Sequence, residues 1–280
     1  MPTTPNRIHD YHAEAKVLDG VLHSPLERKL EPQAHSILPK EGGYYHTNAL
    51  AFRVERVLSF ESAYSHVAGN LGKKPGEGWK TLCTTVVEGL NVMEVLTADR
   101  VVGQIITEHP LEGHVPSFHF LGTRFENLRI AGKPVDLDLD LTIFGDKPEE
   151  DGVYTKHPDV INRISSQYKR ISASKDLPDD LAGRYNQFAS SLGSPETVQC
   201  SLVNQAAGSY PGRTFGHIIR VRDFGTITLG KVNLTHSDFN AETGISHRTL
   251  VELTMIDLKL GCAVDGDIPI GNGGSNGSTH

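Results

Sequence analysis

The clearest order in the chain is an alternation of apolar and polar side chains with a period of two. Across residues 134–144, Leu137, Leu139, Leu141 and Ile143 fall on one parity, and Asp136, Asp138, Asp140 and Thr142 fall on the other. That is the pattern of a strand with one buried and one wet face. Ala131-Gly132-Lys133 just before it reads as a tight turn from a strand over residues 124–130. Further strands are predicted over residues 52–60, 80–87, 90–96, 100–107, 117–121, 196–203, 214–221, 226–235 and 248–260, with Gly, Pro, Asn or Asp between them. The last of these is apolar at both parities (Leu250, Val251, Leu253, Met255, Ile256, Leu258). It is therefore predicted to be a central or inner strand covered on both sides.

Between about 157 and 193 the period lengthens. Val160, Ile161, Ile164, Tyr168 and Ile171 follow helical spacing, as do Leu181, Tyr185, Phe188 and Leu192. Pro178 with Asp179 and Asp180 suits a helix start, and Gly193 with Pro195 suits a stop. The expected fold is all-β, a sandwich or barrel of antiparallel strands, with a helical hairpin inserted near 157–193. Residues 1–48, rich in Gly and Pro after position 20, read as an irregular N-terminal arm; residues 49–262 read as the β domain; residues 263–280 read as a flexible Gly/Asn/Ser tail. A faint likeness between residues 80–87 and 197–203 raises the idea of a duplicated β unit.

Charge narrows the function classes. Lys plus Arg number 27 and Asp plus Glu 34 in 280 residues, a net charge of −7. This argues against bulk nucleic-acid binding and against a polybasic membrane contact. No run of about 18 apolar residues is present and the start has no apolar leader segment, so a cytoplasmic protein is expected. Cys83, Cys200 and Cys262 form no C-x-x-C pair and read as buried thiols.

The local motifs that carry chemistry do not fit their required contexts. Gly273-Gly274-Ser275-Asn276-Gly277 spells a nucleophile elbow without a helix after it. In the segment from Gly72 to Thr81, Trp79 stands where a phosphate loop needs Gly. What remains is a set of candidates. Fourteen histidines include His114 and His119 beside acidic residues, a setting for acid–base work or zinc. Arg220 and Arg222 share a strand face and can clamp a carboxylate or phosphate, or else pair with the Asp136, Asp138, Asp140 row. That aspartate row, and Asp238, Asn240 and Glu242, are candidates for calcium. The expected function is a binding or self-assembly protein whose partner is itself or another protein. The alternative is an enzyme with a pocket in the β structure, using His, Asp, Glu and Arg gathered from distant strands.

Overall fold

The computed structural model of the chain describes residues 8–24, 27–74, 76–149, 152–192, 196–237, 248–261 and 264–279. In chain order its strands are β1 (His9–Ser24), β2 (Arg28–Ile37), β3 (Gly43–Val54), β4 (Leu58–Leu71), β5 (Trp79–Val92), β6 (Leu96–His109), β7 (Ser117–His119), β8 (Arg124–Glu126), β9 (Arg129–Ile130), β10 (Lys133–Pro134) and β11 (Asp136–Leu139). Helices α1 (Pro158–Ser172) and α2 (Asp179–Ser191) follow. The chain ends with β12 (Thr197–Ser201), β13 (Val203–Ala207), β14 (Arg213–Phe215), β15 (Ile218–Val221), β16 (Gly225–Ser237), β17 (Arg248–Gly261) and β18 (Asp265–Thr279).

Two antiparallel sheets pack face to face. The first runs β14-β15-β16-β17-β18-β1-β2, with β12 beside β16; the second runs β10-β9-β6-β5-β4-β3, with β7 and β8 beside β6. β1 and β18 lie across β4, β5 and β6, and the aliphatic side chains between them form the core. Of the two expected architectures, sandwich and barrel, the fold is the sandwich, with the expected helical hairpin. The hairpin docks on the first sheet through its apolar stripes and a few directed bonds. The Gln167 amide donates to the Ser201 carbonyl at 2.9 Å and accepts from the Ser201 N–H at 2.9 Å, which completes the backbone bonding where β12 stops. Tyr168 Oη donates to the Gln199 carbonyl, and Tyr185 Oη meets His217 Nε2 at 3.0 Å. The predicted stop at Gly193 and Pro195 lies outside the described residues.

Both ends of the chain depart from expectation. The segment read as an arm supplies β1, β2 and half of β3, and the segment read as a tail supplies β18, which lies between β17 and β1 in the middle of the first sheet. β1 does alternate, with Tyr11, Ala13, Ala15 and Val17 inward and His12, Glu14 and Lys16 outward. Its inward residues include two alanines, so the apolar signal is faint. After the buried Ile268 and Ile270, β18 sends Gly273, Ser275 and Gly277 inward and has no apolar signal from Gly271 on. It is held by backbone ladders on both edges, and its small inward residues leave room for larger ones opposite. A Cβ at Gly273 would lie 2.7 Å from Cys83 Sγ, and one at Gly277 would lie 2.6 Å from His9 Nε2.

β17 is central as predicted, but it is not covered on both sides. Val251, Leu253, Met255, Ile256, Leu258 and Leu260 are buried, while Leu250, Glu252, Thr254, Asp257 and Lys259 are not. The alternation slips by one residue at Met255–Ile256, so two neighbours in sequence both face the core. Val17–Leu18 does the same in β1. The ladder registers align these slips in one row across the sheet: Ala34, Val17, Gly271, Met255 and Gly230. Every second member of the row has positive φ (Ala34 46°, Gly271 70°, Gly230 59°). A matching row crosses the second sheet through Ala51, Glu61, Gly89, Asp99 and Asn127, with positive φ at Ala51, Gly89 and Asn127. Rows of bulge-like irregularities of this kind bend a sheet.

Smaller corrections have local causes. The predicted strands over 52–60 and 90–96 each span a turn, because Glu55 (φ 46°), Met93 (52°) and Glu94 (58°) take a conformation usually given to Gly or Asn. The strand over 134–144 stops at Leu139, since Asp140 Oδ1 accepts from the Thr142 N–H and hydroxyl and turns the chain. The turn at Ala131-Gly132 forms as expected, with φ of 48° and 74°. β12 pairs with β16 near the hairpin, whereas β5 lies between β4 and β6, so the proposed internal likeness has no counterpart in position.

Candidate functional site: a recess on the outer face of the first sheet

The outward residues of β1, β18, β17 and β16 line a recess of about 390 Å³. β1 contributes His12, Glu14, Lys16 and Asp19; β17 contributes Leu250, Glu252 and Thr254; β16 contributes Asn233. Its floor is β18, through Asn272 and Gly274. The recess lies along the bend. Lys16 and Asp19 stand on either side of the slip at Val17–Leu18, yet share the outer face and form an ion pair at 2.6 Å. Two further recesses join it. One, of about 410 Å³, shares His12 and Leu250 and adds Asp10, Lys40, Arg248 and Asn276. The other, of about 350 Å³, shares Asn233 and adds Tyr168, Phe188 and Leu192 at the edge of the helical hairpin. Together they form a trough across β1, β18, β17, β16 and β12, about 19 Å at the usual strand spacing.

Glu14, Gly274 and Glu252 lie in one row of the ladder. The missing side chain at Gly274 leaves a gap between two carboxylate-bearing strands. Glu14 also meets His35 Nε2 at 2.8 Å, and Gln199 donates to Asn233 at 3.0 Å. The side-chain oxygens of Asn272 and Asn276 are buried and accept no hydrogen bond from any described residue, and Asn276 as a whole is only 8% exposed. An unmet buried acceptor costs about 1–3 kcal/mol, so the floor offers two strong positions for a donor.

Beneath this floor the inward face of β18 meets a cluster of rings. His9 stacks on Trp79 at 5.0 Å and lies 4.7 Å from Tyr11 and 4.6 Å from His109. Burial, reinforced by the neighbouring His9, lowers the pKa of His109 to about 3. Burial alone does the same for His217 at the hairpin. Cys83 donates its S–H to the Glu14 carbonyl at 3.1 Å, and burial pushes its thiol up to about 12. Cys200 is buried and raised in the same way; Cys262 lies outside the described residues. Neither described thiol is poised as a nucleophile. Ser275 of the G-x-S-x-G sequence is mid-strand and faces the core, where Thr107 donates to it at 2.8 Å.

The residues singled out from sequence stand elsewhere, and the structure does not bring them together. His114 and His119 are exposed at the edge of the second sheet, in the loop before β7 and on β7. Arg220 and Arg222 lie at the far end of the first sheet beside a depression of about 500 Å³ that Arg213 also lines. Arg213 is directly opposite Arg220. Their like charges are offset from the helical hairpin, by Asp176 at 2.9 Å from Arg213 and by Asp180 paired with Arg220. The counter-ions are therefore the hairpin's acids and not the aspartate row of β11. Asp136 and Asp138 are exposed on β11, which pairs with β13, and Asp140 is used in its turn. Asp238, Asn240 and Glu242 lie outside the described residues. Among the described residues, no three His, Cys, Asp or Glu side chains are gathered closely enough to hold a metal ion, and no helix is long and apolar enough to cross a membrane. The recess was missed because it is built on the two segments read as arm and tail. The one available signal was His12-Ala13-Glu14-Ala15-Lys16-Val17, which alternates strictly.

A family model described as a domain of unknown function, DUF8256, matches residues 9–235. The chain belongs to that family. The match runs from β1 into β16, so β17 and β18 lie beyond it. No curated protein and no solved structure matches the chain.

Proposed function

We propose that this chain is a binding protein whose ligand lies in the trough on the outer face of the first sheet. The observation that carries it is the floor: two buried amide oxygens with no hydrogen-bond partner among the described residues, that of Asn272 in the recess flanked by Glu14 and Glu252 and that of Asn276 in the recess adjoining it. Acceptors of this kind call for a ligand rich in hydrogen-bond donors, such as a short polyhydroxylated chain. The aromatic and aliphatic notch at Tyr168, Phe188 and Leu192 suits an apolar face of the same ligand. Ligand-observed NMR with a panel of small oligosaccharides tests this. Binding is expected to weaken at least tenfold in Asn276→Leu and to vanish in Gly274→Trp, which fills the gap. If no member binds the unmodified chain at millimolar concentration, or if both variants bind as before, the proposal fails.

The enzyme alternative rests on the same recess. Glu14 and Glu252 are two strand spacings apart, about 9.5 Å at the backbone, a span in which one acid and one base can flank a water. Turnover lost in Glu14→Gln and Glu252→Gln, with binding kept, favours this second use.

A further inference from the structure

We propose that β3 is the interface for a second copy of this chain, paired antiparallel to itself. β3 closes the second sheet and its only ladder is with β4. Among the described residues its outer edge therefore has no second backbone ladder, although β2 of the first sheet packs against β3 and Thr47 donates its hydroxyl to the His35 carbonyl at 2.8 Å. Nearly every residue of β3 is exposed, on both parities, until Val54. Tyr44 is 63% exposed, Tyr45 47% and Leu50 71%. Long free edges usually carry charges, proline or short length to prevent pairing. From Gly43 to Phe52, β3 has no Lys, Arg, Asp, Glu or Pro. Positive φ at Gly43 (112°) and at Ala51 (51°) limits the regular edge to Tyr44–Leu50.

This segment is complementary to itself. A two-fold axis at Thr47 puts Tyr44 of one copy opposite Leu50 of the other, twice. The two most exposed apolar side chains of the strand, both on the face that also carries His46 and Asn48, then cover each other. His46 falls opposite Asn48, and no like charges are opposed. Such a pairing is isologous and closes on itself. It joins the second sheets of both copies into one and leaves the trough, on the first sheet, open. The regular edge uses about seven residues a side, against the 20–30 of a standard interface. The dimer is therefore expected to be weak and concentration-dependent.

Sedimentation velocity over micromolar to several-hundred-micromolar concentration is the test, paired with hydrogen exchange of the β3 amides. The unmodified chain is expected to dimerise with protection of Tyr44–Leu50 rising in step. Leu50→Lys, at a site too exposed to affect folding, should raise the dissociation constant at least tenfold. Tyr44→Glu combined with Leu50→Lys should restore dimerisation, because the new charges face each other across the axis. A chain that remains monomeric overturns the proposal, as does a dimer indifferent to Leu50→Lys.

Discussion

β17 and β18 are neighbours, hydrogen-bonded along most of their length, and their sequences have little in common. β17 buries Val251, Leu253, Met255, Ile256, Leu258 and Leu260. Each is worth about 1.5–3 kcal/mol when fully removed from water. From Gly271 to Thr279, β18 is Gly, Asn, Ser and Thr, and it contributes little of that kind. Yet both are central, because a strand's place also depends on its backbone ladder and on the shape of what faces it. β17 supplies cohesion. β18 supplies space beneath, for Cys83, His9 and His109, and unmet amide acceptors above. The candidate site is on the half of β18 that contributes little to the core, beyond the buried Ile268 and Ile270.

Acid is expected to separate the two strands most strongly, since it strikes His109, packed beneath β18, and spares the apolar contacts of β17; His217 at the hairpin adds a loss of its own. His109 and His217 stay neutral in the folded chain down to about pH 3, whereas the ordinary histidine value is 6.5. Between those values the unfolded chain binds more protons. Stability is thus fully present above pH 6.5 and is lost as the pH falls towards 3. The loss is roughly 1.4 kcal/mol per pH unit for each histidine, or roughly 4 kcal/mol for both at pH 5. Urea unfolding at pH 7 and pH 5 measures it, and His109→Gln should remove about half of the slope. A slope that His109→Gln leaves unchanged would break the account of β18.

Substitutions sharpen the comparison at single positions. Leu253→Ala in β17 should cost about 2–5 kcal/mol by leaving a cavity. Gly277→Ala in β18 should cost about 1–3 kcal/mol for the opposite reason, overpacking, since its Cβ would approach His9 Cε1 at 2.5 Å and His109 Cε1 at 2.8 Å. Thermal or urea denaturation of the pair distinguishes the two causes if a second change, His109→Ala, rescues Gly277→Ala alone. Gly271→Ala should cost about 1–2 kcal/mol, the penalty for placing a side chain at φ 70° on the bend row. Gly274→Ala should be smallest, within about 0.5 kcal/mol, because its Cβ meets nothing nearer than Glu252 Cγ at 3.8 Å. A Gly274→Ala variant that unfolds easily would show that the gap between Glu14 and Glu252 is structural and not a site.

Legibility followed the side chains. The helical hairpin was visible because Val160, Ile164, Tyr168 and Ile171 carry its packing themselves. The β17 strand was visible for the same reason, although its two-parity pattern came from a slip at Met255–Ile256 and not from cover on both faces. The turns at Glu55 and Met93–Glu94 were hidden, because those residues take a backbone conformation that their types rarely signal. Of the candidate site, only the alternation of His12, Glu14 and Lys16 was written in the sequence.

The sequence by itself determined a sheet protein with an inserted helical pair, since period and turn chemistry are local properties of the chain. Only the tertiary structure decided that the Gly/Asn/Ser segment at the end lies between β17 and β1, and so that Glu14, Gly274 and Glu252 share one row. Backbone hydrogen bonds are the same for every residue type. A strand held chiefly by them leaves no compositional trace, and its position follows only from the partners that close the ladder on either side.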